Sequence, residues 1–504
     1  MNHLIVLPIV LPALVAALLL LGRRYRLRLA RFVSLGSCLV MLALALALLS
    51  EAATGTITRY EVGSWPAPFG IVLVLDRLSA MMLLVTALLV LPVLCHAILT
   101  SLDRKGWHFH ALLQFQLLGL NGAFLTGDLF NLFVFFEVLL IASYGLMLHG
   151  QGSARLTAGV QYVIINLAGS TLFLVAVGIL YGVTGTLNMA DLALRVAAAP
   201  AEDQGLIRAG ALLLVTVFAL KAALLPLHLW LPRTYSSTSP AVAALFAIMT
   251  KVGVYSIIRT VTLIFGADAG AAAWAPSPWM LPAALATTVI GFLGLLAAHR
   301  LRELAAFALI GSTGTLLAAT ALFESGSIAA ALYYLPHSTL AGAALFLVGD
   351  LIARRRHGHG EALAPGPRFA AIEPLSLLYL LCAIAIAGLP PLSGFVGKLL
   401  VLDAARSSAA WPWIWAVLLA TTLVAIIGFA RAGSTLFWKS ASVQAAASPA
   451  PAAVRTAELL PATLLLVLLA ALTVFAGPVT RYMDAASAQI FSPADYRAAV
   501  LGAG

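Results

Sequence analysis

Leucine, alanine, valine and isoleucine fill stretch after stretch of about twenty residues in this chain, each long enough to cross the ~30 Å core of a bilayer as a helix. Nothing else constrains the fold as strongly. Lipid cannot satisfy a backbone N–H or C=O, so a spanning segment has to satisfy its own, as a helix does. With 62% of the residues hydrophobic and only 10% charged, there is too little polar sequence to wrap a soluble core of this size. The chain reads as an all-α polytopic membrane protein with about 14 transmembrane helices.

The basic residues test that reading. Connections after odd-numbered spans carry 18 of the 29 lysines and arginines, among them Arg23 to Arg31, Arg104, Lys105, Arg155, Arg233, Arg300, Arg302 and Arg354 to Arg356. Connections after even-numbered spans, with the tail, carry six of them. By the positive-inside rule the odd connections face the cytoplasm and both termini lie outside. The net charge of +10 therefore reads as topology and not as nucleic-acid binding. The first apolar run precedes its arginines, the reverse of a signal peptide, and is expected to be a retained helix.

Charges inside the spans point to function. Asp128 to Leu148 is one span, and Glu137 sits at its centre among Phe135, Phe136, Val138 and Leu139. A carboxyl there costs about 2.5–3.5 kcal/mol on insertion scales and needs a protein interior or a wet cavity. It serves either as a hydrogen bond between helices or as a proton or ion relay. Span seven (206–231) carries Lys221 followed by Pro226, and span eight (239–266) carries Lys251. Span twelve (372–404) holds Gly388, Pro390, Pro391 and Gly394 before Lys398. Proline removes a donor and clashes with the preceding turn, so spans seven and twelve are expected to be broken helices. Broken helices in matching positions suggest a transport site between two inverted five-helix repeats, 109–266 and 267–438. These would be flanked by a three-helix segment, 1–108, and by a loop, last helix and tail, 439–504. The freed carbonyls need partners, which water or a lysine ammonium can supply. Lysine suits a relay because its charge responds to burial and to a neighbouring carboxylate. A Glu137–Lys221 pair would store a proton, and Lys251 and Lys398 would pass it on. His337, in span eleven (327–353), is either a shuttle or a hydrogen-bonded core residue.

Other chemistries fail. GFVGKLL lacks the first glycine and the Ser or Thr of a phosphate loop, and no His/Cys cluster suits haem or an iron–sulfur centre. Cys38, Cys95 and Cys382 are isolated in apolar segments. His357 and His359 could bind a metal, but RRRHGHG reads more simply as a basic loop. No cofactor, no metal and no enzymatic activity of its own are expected.

The span Asp128 to Leu148 with its central glutamate, KAALLPLHLWLP, TKVGVYSIIR and GLPPLSGFVGK together resemble the antiporter-type subunits shared by respiratory complex I and the Mrp-type cation/proton antiporters. The stretches Val62 to Leu83, Leu125 to Leu146 and Tyr333 to Ile352 resemble the D-type subunits of Mrp (Pha) complexes in particular. The resemblance implies that Glu137 pairs with Lys221, that Lys251 connects the halves and that Lys398 ends the relay. Some complex I relatives have a lysine four residues after the histidine of span eleven; Ala341 stands there. A Na+ or K+/H+ antiporter built with other membrane subunits in the bacterial inner membrane is implied. A proton-pumping subunit of complex I or of a membrane hydrogenase is the alternative, and a scaffold without transport is a third. Nothing in the sequence fixes a cation site, though Asp76 or a neighbouring subunit could contribute.

Overall fold

Helix starts are set by local chemistry where the chain leaves the apolar runs. Asp76 accepts from the Ser79 N–H at 2.8 Å and Ser79 Oγ accepts from the Asp76 N–H at 2.9 Å, a reciprocal box that launches a helix at Arg77. Asp128 likewise caps the next turn through the Asn131 N–H. The computed structural model describes residues 3–21, 26–442 and 455–502; Arg23 and Arg24 of the first basic connection and the side chain of His357 lie outside that set.

The first half of the chain builds α1 (Leu7–Leu21), α2 (Leu27–Ala53), α3 (Arg77–Leu99), α4 (Phe109–Leu125), α5 (Leu129–Leu148), α6 (Ser153–Thr184), α7 (Met189–Ala197), α8 (Gln204–Lys221), α9 (Trp230–Ser237), α10 (Pro240–Phe246) and α11 (Met249–Leu263). The second half builds α12 (Ser277–Ala297), α13 (Leu301–Thr320), α14 (Ser325–Arg355), α15 (Ile372–Ala387), α16 (Ser393–Ala404), α17 (Trp411–Gly433), α18 (Leu460–Val474), α19 (Ala476–Ile490) and α20 (Pro493–Leu501). Among the described residues, 11 helical segments are long and apolar enough to cross a membrane, and α1 and α15 are shorter apolar helices. The chain is a multi-pass membrane protein.

The most apolar stretches of the α10–α11 segment and of α14 are wholly buried and form the centre, with that of α13 nearly so. α14 packs against α3, α10, α13, α15, α16, α18 and α19. Around this centre stand α2, α6, α12, α17 and α18, whose outer faces expose leucine, isoleucine and phenylalanine such as Phe32, Ile164, Leu293 and Leu423. An apolar periphery of this extent belongs in lipid.

Several details differ from the sequence expectation. The start of the third expected span, 72–99, is a β-strand, Val72–Leu75, paired antiparallel with Thr58–Glu61; β-branched alternation there favours a strand until Asp76 begins the helix. Connection 185–205 holds α7, and the tail holds α20. The last expected span, 457–480, divides at Phe475 into α18 and α19, just before Gly477 and Pro478. Between α3 and α4, Asp103 receives the Arg31 guanidinium at 2.6 and 2.7 Å and His110 Nε2 at 3.2 Å. Burial opposes the Asp103 carboxylate, but His110 and Arg31 outweigh it and hold the acid below its ordinary pKa.

Candidate functional site

Both expected helix breaks are present. α8 stops at Lys221, Ala223 takes a left-handed φ of 56°, and helix resumes at Trp230 beyond Pro226. Backbone groups freed by this break find side-chain partners: the Leu225 N–H donates to Thr287 Oγ1 of α12 at 2.8 Å, and Trp230 Nε1 donates to the Leu220 carbonyl at 3.1 Å. α15 stops at Ala387, Gly388 has φ 75°, and α16 begins after Pro390 and Pro391. Here Lys398 itself supplies the partner, donating to the Ala387 carbonyl at 2.8 Å and to Thr422 Oγ1 of α17 at 2.8 Å. Its Nζ lies 5.3 Å from the Phe292 ring centre. The breaks thus carry the requirement that every buried backbone group be paired.

Glu137 is half-buried, at the edge of the α5 face that exposes Phe130, Val134 and Ile141. Its carboxylate accepts from Ser170 Oγ of α6. Lys221 is buried and donates to Asn166 Oδ1, also of α6, at 2.9 Å. Among the described residues Glu137 and Lys221 form no ion pair within 4.0 Å, and α6 puts a side chain against each.

Lys221 and Lys251 lie on helices α8 and α11, whose backbones pack closely. Gly253 permits this, since a Cβ there would lie 2.6 Å from both Ala222 N and the Phe218 carbonyl. Lys251 is fully buried and donates to Thr250 Oγ1 at 3.2 Å and to Thr313 Oγ1 of α13 at 3.3 Å. Beside Thr313, Ser312 donates to Ser338 Oγ of α14 at 2.9 Å and lies 3.1 Å from the Tyr334 hydroxyl. His337, next along α14, places Nδ1 3.0 Å from Ser393 Oγ at the start of α16 and keeps Nε2 buried without a protein partner. Its ring edges against Gly394, where a Cβ would be 2.8 Å from Cε1. The five expected residues thus lie on helices that meet, with hydroxyls and an amide between them. Amines, imidazole and hydroxyls both donate and accept across their charge states, so such a row is chemically able to pass protons.

Asp76 is committed elsewhere. Arg259 of α11 meets both its oxygens, at 2.6 and 2.8 Å. Sequence reasoning missed Asn166, Ser170, Ser393 and Thr422. It also missed a buried cluster in which His96 Nε2 and Arg354 Nε approach Asp350 Oδ2 at 2.9 and 2.7 Å. The i, i+4 pair Asn166 and Ser170 within the apolar middle of α6 was the available signal. Among the described residues no group of three His, Cys, Asp or Glu could hold a metal ion.

The geometry defines a class: multi-pass membrane proteins whose discontinuous helices surround a buried polar row. Residues 126–426 match the family described as "NADH:quinone oxidoreductase/Mrp antiporter, TM". The chain is 40% identical to the D component of a probable K(+)/H(+) antiporter of Rhizobium meliloti, covering 100% of this chain and 98% of that one. It is 36% identical to the D component of the Na(+)/H(+) antiporter of Alkalihalophilus pseudofirmus, covering 99% and 100%. A chain in the structure of the Mrp complex from Dietzia sp. superposes with a TM-score of 0.88 at 30% identity, covering 100% of both. The chain belongs to the NADH:quinone oxidoreductase/Mrp antiporter transmembrane family.

Proposed function

We propose that this chain is the proton-translocating membrane subunit of a multisubunit Na+/H+ or K+/H+ antiporter. Glu137, Lys221, Lys251, His337 and Lys398 form its mid-membrane relay. The observation that carries the reading is a series of separate hydrogen-bonded polar groups, most of them buried, set on successive packed helices from α5 to α17 and at both broken helices. Relatives named as antiporter subunits for either cation support the activity, and the likeness to a chain of an Mrp complex supports other membrane subunits as partners. The chain is a transporter subunit and not an enzyme. It lies in the bacterial inner membrane with both termini outside, and its 14 spans comprise two inverted five-helix units around α8–α9 and α15–α16.

In this mechanism a carboxylate near Lys221 favours the ammonium, and separating the two releases the proton toward Lys251. The test uses the complete antiporter in everted membrane vesicles, with Na+ and K+ added separately. Glu137→Gln or Lys221→Ala abolishes cation-dependent proton movement while the complex still assembles. Full antiport in either variant would remove the relay from the mechanism.

A further inference from the structure

α6 stands between the acid and the amine. Asn166, Gly169 and Ser170 follow at i, i+3 and i+4 and so share one face of it. Asn166 and Ser170 are buried, and each holds one of the two charged groups. The Asn166 Nδ2 donates to the Tyr162 carbonyl of its own helix at 2.8 Å, which turns Oδ1 toward Lys221. Gly169 leaves room for Leu220, whose Cδ2 would lie 2.8 Å from a Cβ there, and the Lys221 Nζ lies beside it, 3.7 Å from that position.

We propose that Asn166 and Ser170 are positioning residues that hold Lys221 and Glu137 at separate stations, so that the two do not close into a direct ion pair. The inference rests on the relay reading above. In a low-dielectric interior a contact pair is hard to separate, and neither partner gives up its charge easily. A neutral amide and a hydroxyl hold each group with a single hydrogen bond and take no proton themselves. Other titratable groups near the pair are Tyr144 of α5, whose ring lies 5.5 Å from that of Tyr162 of α6, and His228 in the broken segment. α11 contributes Lys251, its Arg259 being turned to Asp76.

The experiment measures the pH profile of cation-dependent proton movement by the assembled complex in everted vesicles. Asn166→Leu removes an acceptor that serves the ammonium, and its profile moves about one unit toward acid. Ser170→Ala removes a donor that serves the carboxylate, and its profile moves about one unit toward alkali. Ser170→Thr keeps the hydroxyl and restores the wild-type profile. Asn166→Asp, of equal size, puts a carboxylate on the amine and lowers the rate about tenfold or more. Unshifted profiles for Asn166→Leu and Ser170→Ala, or a wild-type rate for Asn166→Asp, would overturn the inference. Should the leucine variant fail to assemble, the aspartate variant decides. If Glu137→Gln is inactive while these variants behave as wild type, the inference alone falls; an active Glu137→Gln sinks the relay as well.

Discussion

Lys398 ends its side chain on a carbonyl that a broken helix has left without a partner. Lys398→Met removes that donor and the bond to Thr422 while keeping most of the stem. An unpaired buried carbonyl costs about 1–3 kcal/mol, so the purified complex should melt at a lower temperature as well as lose proton movement. At this scale the sequence was most legible, because a charge inside an apolar span is too costly to be incidental. The groups that hold those charges were not legible. A serine, threonine or asparagine in a membrane helix can equally bond its own preceding turn, as Thr86, Thr260 and Thr339 do here. Outside the membrane, His149 at the end of α5 shows what burial does to a single ring. Burial pushes its pKa down, the Leu102 carbonyl resists, and Arg155 adds to the lowering. The folded state therefore favours the neutral ring, and the stability this gives is full above the unfolded pKa of about 6.5 and is lost as pH falls below it. Hydrogen-exchange protection around residues 148–152 should fall as the pH drops through that value, and His149→Gln should flatten the dependence.

Helices α12 and α13 show how pairs of elements approach. A Cβ on Gly291 would run into the Gly311 backbone, and one on Gly314 would meet Thr288 N at 2.5 Å. Backbone cannot step aside as a flexible side chain can, so Gly291→Ala should cost at least the 1–3 kcal/mol typical of overpacking. The folded fraction recovered on size exclusion in detergent measures it. The runs of apolar residues located the long helices, and Pro226, Pro390 and Pro391 located both breaks. The gap between α10 and α11 escaped, since AIMTK contains neither proline nor glycine; it is tightened by i→i+3 bonds such as Lys251 N–H to the Ile248 carbonyl at 2.9 Å. The hairpin before α3 escaped because a short apolar run reads as strand or helix alike.

Across the whole molecule, one buried ion pair ties distant segments together. Asp76 heads α3, Arg259 belongs to α11, and the Tyr496 ring of α20 lies 5.3 Å from the guanidinium. Asp76→Asn strands a buried charge, a loss of about 3–5 kcal/mol, whereas Asp76→Leu with Arg259→Met should recover part of it. Thermal unfolding of the three forms separates these outcomes. The tail that contributes Tyr496 had no periodic signal in the sequence, and its place emerges only from packing. Finally, α6 lies at the rim of the bundle: Leu156, Val160, Ile164 and Leu167 form an outward stripe on the same helix whose inner side carries Asn166 and Ser170. Whatever presses on that stripe, whether acyl chains or an adjoining protein, is one helix thickness away from the acid and the amine. Under the proposed function, that stripe would give the surroundings a lever on the acid and the amine that requires no binding pocket at all.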